Sequence, residues 1–374
     1  MIALTVEATC GRARLGRLTT PHGAVTTPVF MPVGTVGSVK GVTPDQLRAC
    51  GTQMLLGNTY HLMLRPGADT AERLGGLHRI MGWDGPLLTD SGGYQVFSLA
   101  HLRRIDDDGV VFRSHVDGAE VALTPERAMD IQRALGADVV MQLDECPPGD
   151  APREDVARAV ARSAAWAERC RDAWADRDAQ ALFGIQQGGV FDDLRADSAR
   201  RLVALDLPGY AVGGLSVGEG HATMSRVLDA VDDQLPRDRP RYLMGVGEPR
   251  DILAAVRRGI DMFDCVLPTR NARNAQAFTW DGRLRLRNAQ WAQDDRPIEP
   301  GCDCYACRHF SRGALRHLFA AGEMLAATLT TLHNLHFFAR LMAAIRAAIA
   351  DDTLPERAAE WTERMYCRHG HSTS

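Results

Sequence analysis

Eight short apolar runs, each ending in a loop rich in glycine, proline or polar residues, constrain this chain more than any other feature. They are "VFMPVG" (29–34), "QMLLGN" (53–58), "PLLTDSGG" (86–93), "DVVMQLDEC" (138–146), "LFGIQQGG" (182–189), "YAVGGLSVGE" (210–219), "RYLMGVGEP" (241–249) and "DMFDCVLP" (261–268). Between most of them lie amphipathic stretches such as "TPERAMDIQRALG", "REDVARAVARSAAWAERCRDAW", "DDLRADSARRLVAL" and "PRDILAAVRRG". Several open on Thr-Pro or acids and close on glycine, which are helix boundary signals. Strands alternating with helices predict a parallel α/β fold, and eight of them predict a closed (β/α)8 TIM barrel. An open doubly wound sheet is the alternative, but no G-x-G-x-x-G follows an early strand.

Three regions depart from the alternation. The opening "IALTVEATCGRARLGRLTT" reads as an antiparallel cap. The segments "VVFRSHVDGAEVAL" (110–123) and "AFTWDGRLRLRN" (277–288) each place an Asp-Gly turn between strand-like arms, as hairpins do. Beyond residue 310 a strongly helical stretch runs to about residue 350 and breaks once.

With 45% hydrophobic and 24% charged residues among 374, the chain can bury a sizeable core. A net charge of -4 argues against a uniform positive coat for nucleic acid but allows a local basic patch. Lys40 is the only lysine, so arginine would supply such a patch. No apolar run is long enough to span a bilayer, and the N-terminus lacks a signal-peptide pattern. The expected location is cytoplasmic, with no membrane partner.

"CDCYAC" sets Cys302, Cys304 and Cys307 within six residues, a spacing that reads as a structural zinc site. His309, His317, His333 and His336 all follow as candidates for the fourth ligand. Barrel enzymes carry their chemistry at the C-terminal ends of strands, and Asp90, Asp144 and Asp264 stand there, with Gln187 and the glycines of "VGGLSVGE". Such a set suits a planar ligand with donors and acceptors along its edge. Two of the acids could also break a glycosidic bond, one as nucleophile and one as acid/base. Loop hydrogen bonding, magnesium ligation, or hydrolysis of a small glycoside are the other uses of the same acids.

At "LLTDSGGYQVFSL", "GYAVGGLSVGEG", "YLMGVGEP", "MFDCVLPTRNARNAQAFTWDG" and "CDCYAC…TLHNLHFF" the chain resembles the tRNA-guanine transglycosylases, in family order and over almost its whole length. The resemblance implies one catalytic barrel over 1–374, with a zinc-binding insertion and helical region over 289–350 as a C-terminal subdomain. It implies a pentosyltransferase of queuosine biosynthesis that replaces guanine at the wobble position of tRNAs with GUN anticodons by a 7-deazaguanine. Asp264 would be the nucleophile, forming a covalent tRNA adduct, and Asp90 the general acid/base. Asp144, Gln187 and the backbone of Gly214 and Leu215 would read the base edge, with Tyr94 and Met244 against its faces. Arg270 and Arg273 would contact the anticodon loop, and His333 would complete one structural Zn²⁺ site per subunit of a homodimer. Val217, where queuine-using members carry glycine, favours the bacterial type and its 7-aminomethyl-7-deazaguanine (preQ1). Glu248 replaces a basic residue of some relatives.

Overall fold

A computed structural model describes residues 2–99, 103–175 and 179–367. All eight apolar runs form strands of one closed parallel barrel. These are β1 (Val29–Gly34), β2 (Leu55–Gly57), β3 (Leu87–Thr89), β4 (Val139–Met141), β5 (Ala181–Gln186), β6 (Gly209–Val212), β7 (Arg241–Leu243) and β8 (Met262–Cys265). Each strand pairs with its successor, and β8 closes on β1 from Met262–Val29 to Cys265–Pro32. Closure rules out the open sheet.

The runs look continuously apolar because both faces of each strand are buried. Their residues divide with period two. Val29, Met31, Val33, Val139, Met141, Ala181, Phe183, Ile185 and Met262 join one buried cluster, the barrel interior. Phe30, Val140, Leu182 and Phe263 join another, beneath the helices. Carrying this alternation past the strand ends turns Asp90, Gln187, Met244 and Asp264 inward at the barrel mouth.

The opposite end is plugged by the expected cap, an antiparallel sheet of Ala3–Cys10, Ala13–Thr20 and Gly23–Thr27. Leu18 and Val25 of this sheet share the interior cluster. Acids just before two barrel strands anchor it. Asp261 accepts from Arg14 (Nε, 3.1 Å) and from the Arg241 N–H (2.7 Å), while Asp138 accepts from the Leu87 N–H (2.8 Å) and lies 2.8 Å from His22 Nδ1.

The insertion expected over 110–123 is a hairpin of Val110–Arg113 and Glu120–Leu123, extended by a third strand, Arg103–Ile105. The second hairpin pairs Gln276–Thr279 with Gly282–Arg285. The helical stretch breaks between Arg312–Ala321 and Met324–Ala350 at Gly322, whose φ of +77° closes the first helix in the left-handed conformation that suits glycine. The longer helix packs Phe338 on Phe30 of β1 (ring centroids 4.6 Å apart) and carries His333 toward the cysteines. Among the described residues no helix is long and apolar enough to cross a membrane.

Candidate active site

A cavity of about 550 Å³ opens at the C-terminal ends of the barrel strands. Asp90, Tyr94, Asp144, Gln187, Gly214, Leu215, Met244, Asp264 and Arg270 all border it, so most of the sequence-derived candidates meet in one place. Arg273 lies one turn beyond Arg270 on the helix Leu267–Arg273 and does not border the cavity.

Asp264 receives two hydrogen bonds, from the Tyr242 hydroxyl (2.5 Å) and the Gly245 N–H (2.7 Å), both on Oδ1. Its Oδ2 has no protein donor among the described residues. Burial raises the Asp264 pKa, and the two donors oppose that rise. Tyr242 was not among the sequence candidates. It sits on β7, adjacent only because β7 and β8 pair through Tyr242–Met262.

Asp90 lies in a tighter nest. Asn58 Nδ2 (2.5 Å) and Gln95 Nε2 (3.2 Å) donate to Oδ2, and the Thr59 N–H (2.8 Å) donates to Oδ1. Desolvation dominates even so, the Asp264 charge adds to it, and the Asp90 pKa is pushed up to about 7. Burial thus raises the pKa of both carboxylates at this mouth.

Asp144 accepts from Ser91 Oγ (2.7 Å) on one oxygen and from Gln187 Nε2 (2.7 Å) on the other. Burial raises its pKa as well. The Gln187 Oε1 atom is buried without a hydrogen-bond partner. Gly214 makes room for that amide, since a Cβ there would stand 2.5 Å from Gln187 Oε1. The next peptide is fixed differently: the Glu219 carboxylate accepts from the N–H groups of Ser216 (2.5 Å) and Val217 (2.9 Å).

Arg270 is exposed and Arg273 partly buried, and no acid pairs with either guanidinium among the described residues. Burial and the neighbouring Arg270 lower the Arg273 pKa, and its Nη1 lacks a partner. Two adjacent unpaired guanidiniums suit phosphate oxygens. Glu248, by contrast, is committed to Arg283 and to the Tyr366 hydroxyl (3.1 Å).

The cysteine cluster selects its fourth member by geometry. His333 Nδ1 lies 3.8, 3.6 and 3.3 Å from the sulfurs of Cys302, Cys304 and Cys307. Tetrahedral zinc with Zn–S of about 2.3 Å and Zn–N of about 2.0 Å would set such atoms roughly 3.5 Å apart. His333 Nε2 donates to the Phe278 carbonyl (2.7 Å), which leaves Nδ1 free to bind a metal. His336 turns instead to Asp303 (2.7 Å). The residues fit a structural metal ion. Next to His333, Asn334 accepts from the Phe278 N–H (2.9 Å) and donates to the carbonyls of Pro268 (2.9 Å) and Gln276 (3.0 Å). This amide ties the cluster to the helix that carries both arginines.

A family model described as queuine tRNA-ribosyltransferase matches residues 9–367. Curated proteins called queuine tRNA-ribosyltransferase are similar along nearly their full lengths. That of Pelotomaculum thermopropionicum is 58% identical over 337 residues, covering 90% of this chain and 91% of its own. That of Desulforamulus reducens is 56% identical over 345 residues (92% and 93%), and that of Thermus thermophilus 54% over 363 (97% and 94%).

Proposed function

The chain belongs to the queuine tRNA-ribosyltransferase family, tRNA-guanine pentosyltransferases, and from that premise we propose that it exchanges guanine at the wobble position of tRNAs with GUN anticodons for preQ1. The observation that carries the mechanism is a pair of carboxylates at the barrel mouth, Asp264 with one oxygen unengaged and Asp90 with both oxygens held and its pKa pushed up to about 7.

The target base leaves its stack to enter the cavity, and base-edge contacts offset the unstacking. Asp264 Oδ2 attacks C1′ of the ribose, and the C1′–N bond breaks with its electron pair passing to guanine. Protonated Asp90 supplies the proton that guanine needs to leave, and a covalent ester between Asp264 and the tRNA remains. The incoming base then gives its proton to the Asp90 carboxylate and displaces Asp264 from C1′. Asp144 accepts base N–H groups, while Gln187 and the Gly214 and Leu215 backbone complete the edge. Tyr94 and Met244 lie against the ring faces. Arg270 and Arg273 hold the flanking anticodon-loop nucleotides. Cys302, Cys304, Cys307 and His333 would hold Zn²⁺, and four protein ligands of this kind suit a structural ion.

Glu219 supports preQ1 as the incoming base. Its grip on the Ser216 N–H turns the Leu215 carbonyl the other way, since the two ends of a trans peptide point oppositely. A carbonyl on the cavity side is an acceptor for an aminomethyl group. Val217, also bordering the cavity, takes up room that a cyclopentenediol would need. We place the enzyme in the cytoplasm as a homodimer. Exposed Val36, Met324 and Leu325 lie on two segments joined by the Thr328 hydroxyl and Gly41 carbonyl (3.0 Å), an apolar surface for the second copy.

Radiolabelled guanine and unmodified tRNA test the reaction directly, with label expected at the wobble position; an unlabelled tRNA would sink this reading. Run with preQ1 and queuine in parallel, the same assay should show use of preQ1 and not queuine. Val217→Gly should admit queuine, and continued refusal would remove Val217 as the discriminator.

A pH dependence follows from Asp90. Its raised pKa keeps the proton in place below about 7 and releases it above. Single-turnover adduct formation should therefore fall about tenfold per pH unit above that point, as protonated Asp90 is depleted. Asp90→Asn should lower the rate by roughly 10²-fold or more and flatten that limb. A limb that persists in Asp90→Asn would assign it to another group.

A further inference from the structure

The helix Asp192–Val203 joins β5 to β6, and its buried face is Arg195, Ser198, Ala199 and Leu202. An arginine thus occupies a stripe position where that spacing calls for an apolar residue. Its side chain is 2% exposed and donates to four carbonyls: Nε to Gly189 (2.9 Å), Nη1 to Gln186 (3.0 Å) and Gly213 (2.8 Å), and Nη2 to Gly214 (3.3 Å). Among the described residues no carboxylate makes a salt bridge with it. Burial lowers its pKa to about 10, which still leaves it charged at neutral pH. A buried charge compensated by carbonyls alone is costly, so the position calls for an explanation beyond packing.

Two active-site loops converge on this guanidinium. Gln186 and Gly189 bracket Gln187, and Gly213 and Gly214 begin the loop after β6. With the Gly213 and Gly214 carbonyls turned to Arg195, the N–H groups of Gly214 and Leu215 must face the other way. Gly214 and Leu215 both border the cavity. We propose that Arg195 is a positioning residue that aims the Gly214 and Leu215 N–H groups at the acceptor edge of the bound base. The role rests on the base-exchange reading above. Lysine would keep the charge, but a single ammonium lacks the planar fork that spans two loops.

Arg195→Lys and Arg195→Met in the full chain, compared with wild type by guanine-exchange kinetics, test this. Both should raise the KM for guanine about tenfold or more while the KM for tRNA stays within about twofold, because only the base edge loses its aimed donors. A folded Arg195→Lys enzyme with the wild-type KM for guanine overturns the proposal. Should neither variant fold, amide hydrogen exchange on the wild type decides: guanine must protect the Gly214 and Leu215 amides, and absence of protection overturns the proposal too. Wild-type enzyme that exchanges no guanine would instead overturn the base-exchange reading, and this role with it.

Discussion

Asp264→Ala should abolish the covalent tRNA adduct on denaturing gels and lower guanine exchange by roughly 10³-fold or more, because no other group can take its place at C1′. Asp90 is the nearest substitute in kind, but Asn58, Gln95 and Thr59 engage both of its oxygens, and its pKa near 7 leaves much of it protonated. Loss of the carboxylate leaves the Tyr242 hydroxyl without its acceptor, at about 1–3 kcal/mol, and removes a buried charge that burial disfavours. The opposed effects predict a folded variant with a melting temperature near that of the wild type. Base binding should survive, since Asp144, Gln187 and the Gly214 loop are untouched. An adduct that persists in Asp264→Ala would refute the nucleophile assignment, whatever the exchange rate. Tyr242→Phe offers the graded comparison: Gly245 still holds Oδ1, so a loss of tens-fold is expected rather than extinction.

The second large effect is predicted at the metal cluster. Elemental analysis should find one zinc per chain, and His333→Ala should lose it. Structural zinc contributes about 10–16 kcal/mol of binding free energy in small peptide sites. A cluster embedded in a large fold recovers part of that, so a fall in melting temperature on the order of 10 °C is the expected scale. The consequence for function runs through Asn334, which binds the Pro268 carbonyl at the start of the arginine-bearing helix. Loosening His333 should shift that helix, raising the KM for tRNA more than the KM for guanine. Folded, active protein without zinc would undo the metal assignment. Zinc loss that leaves the tRNA KM unchanged would break the link through Asn334.

Asp261 and Asp264 show how far the sequence could be read. Both flank the same short apolar run, and composition treats them alike. Asp261 precedes β8 and anchors Arg14 of the cap, whereas Asp264 continues the inward register at the mouth. Asp138 and Asp144 divide in the same way around β4. Strand direction separates them, because a parallel barrel sends all strand starts to one end and all strand ends to the other. The same rule makes Asp90, Asp144, Gln187 and Asp264 candidates from the sequence alone.

What the sequence determined by itself is whatever depends on near neighbours along the chain: strand and helix alternation, the hairpin turns, a single break in the C-terminal helical stretch, and the Cys-x-Cys-x-x-Cys spacing. Each follows from backbone and side-chain preferences acting over a few residues. Only the tertiary structure decided which of four histidines faces the cysteines, which hydroxyl holds Asp264, and which four carbonyls the buried Arg195 reaches. His333 lies 26 residues from Cys307, Tyr242 lies 22 from Asp264, and Arg195 lies 18 from Gly213. Contacts at such separations form only when barrel closure and helix packing bring distant segments together, and no local pattern specifies which atoms then meet.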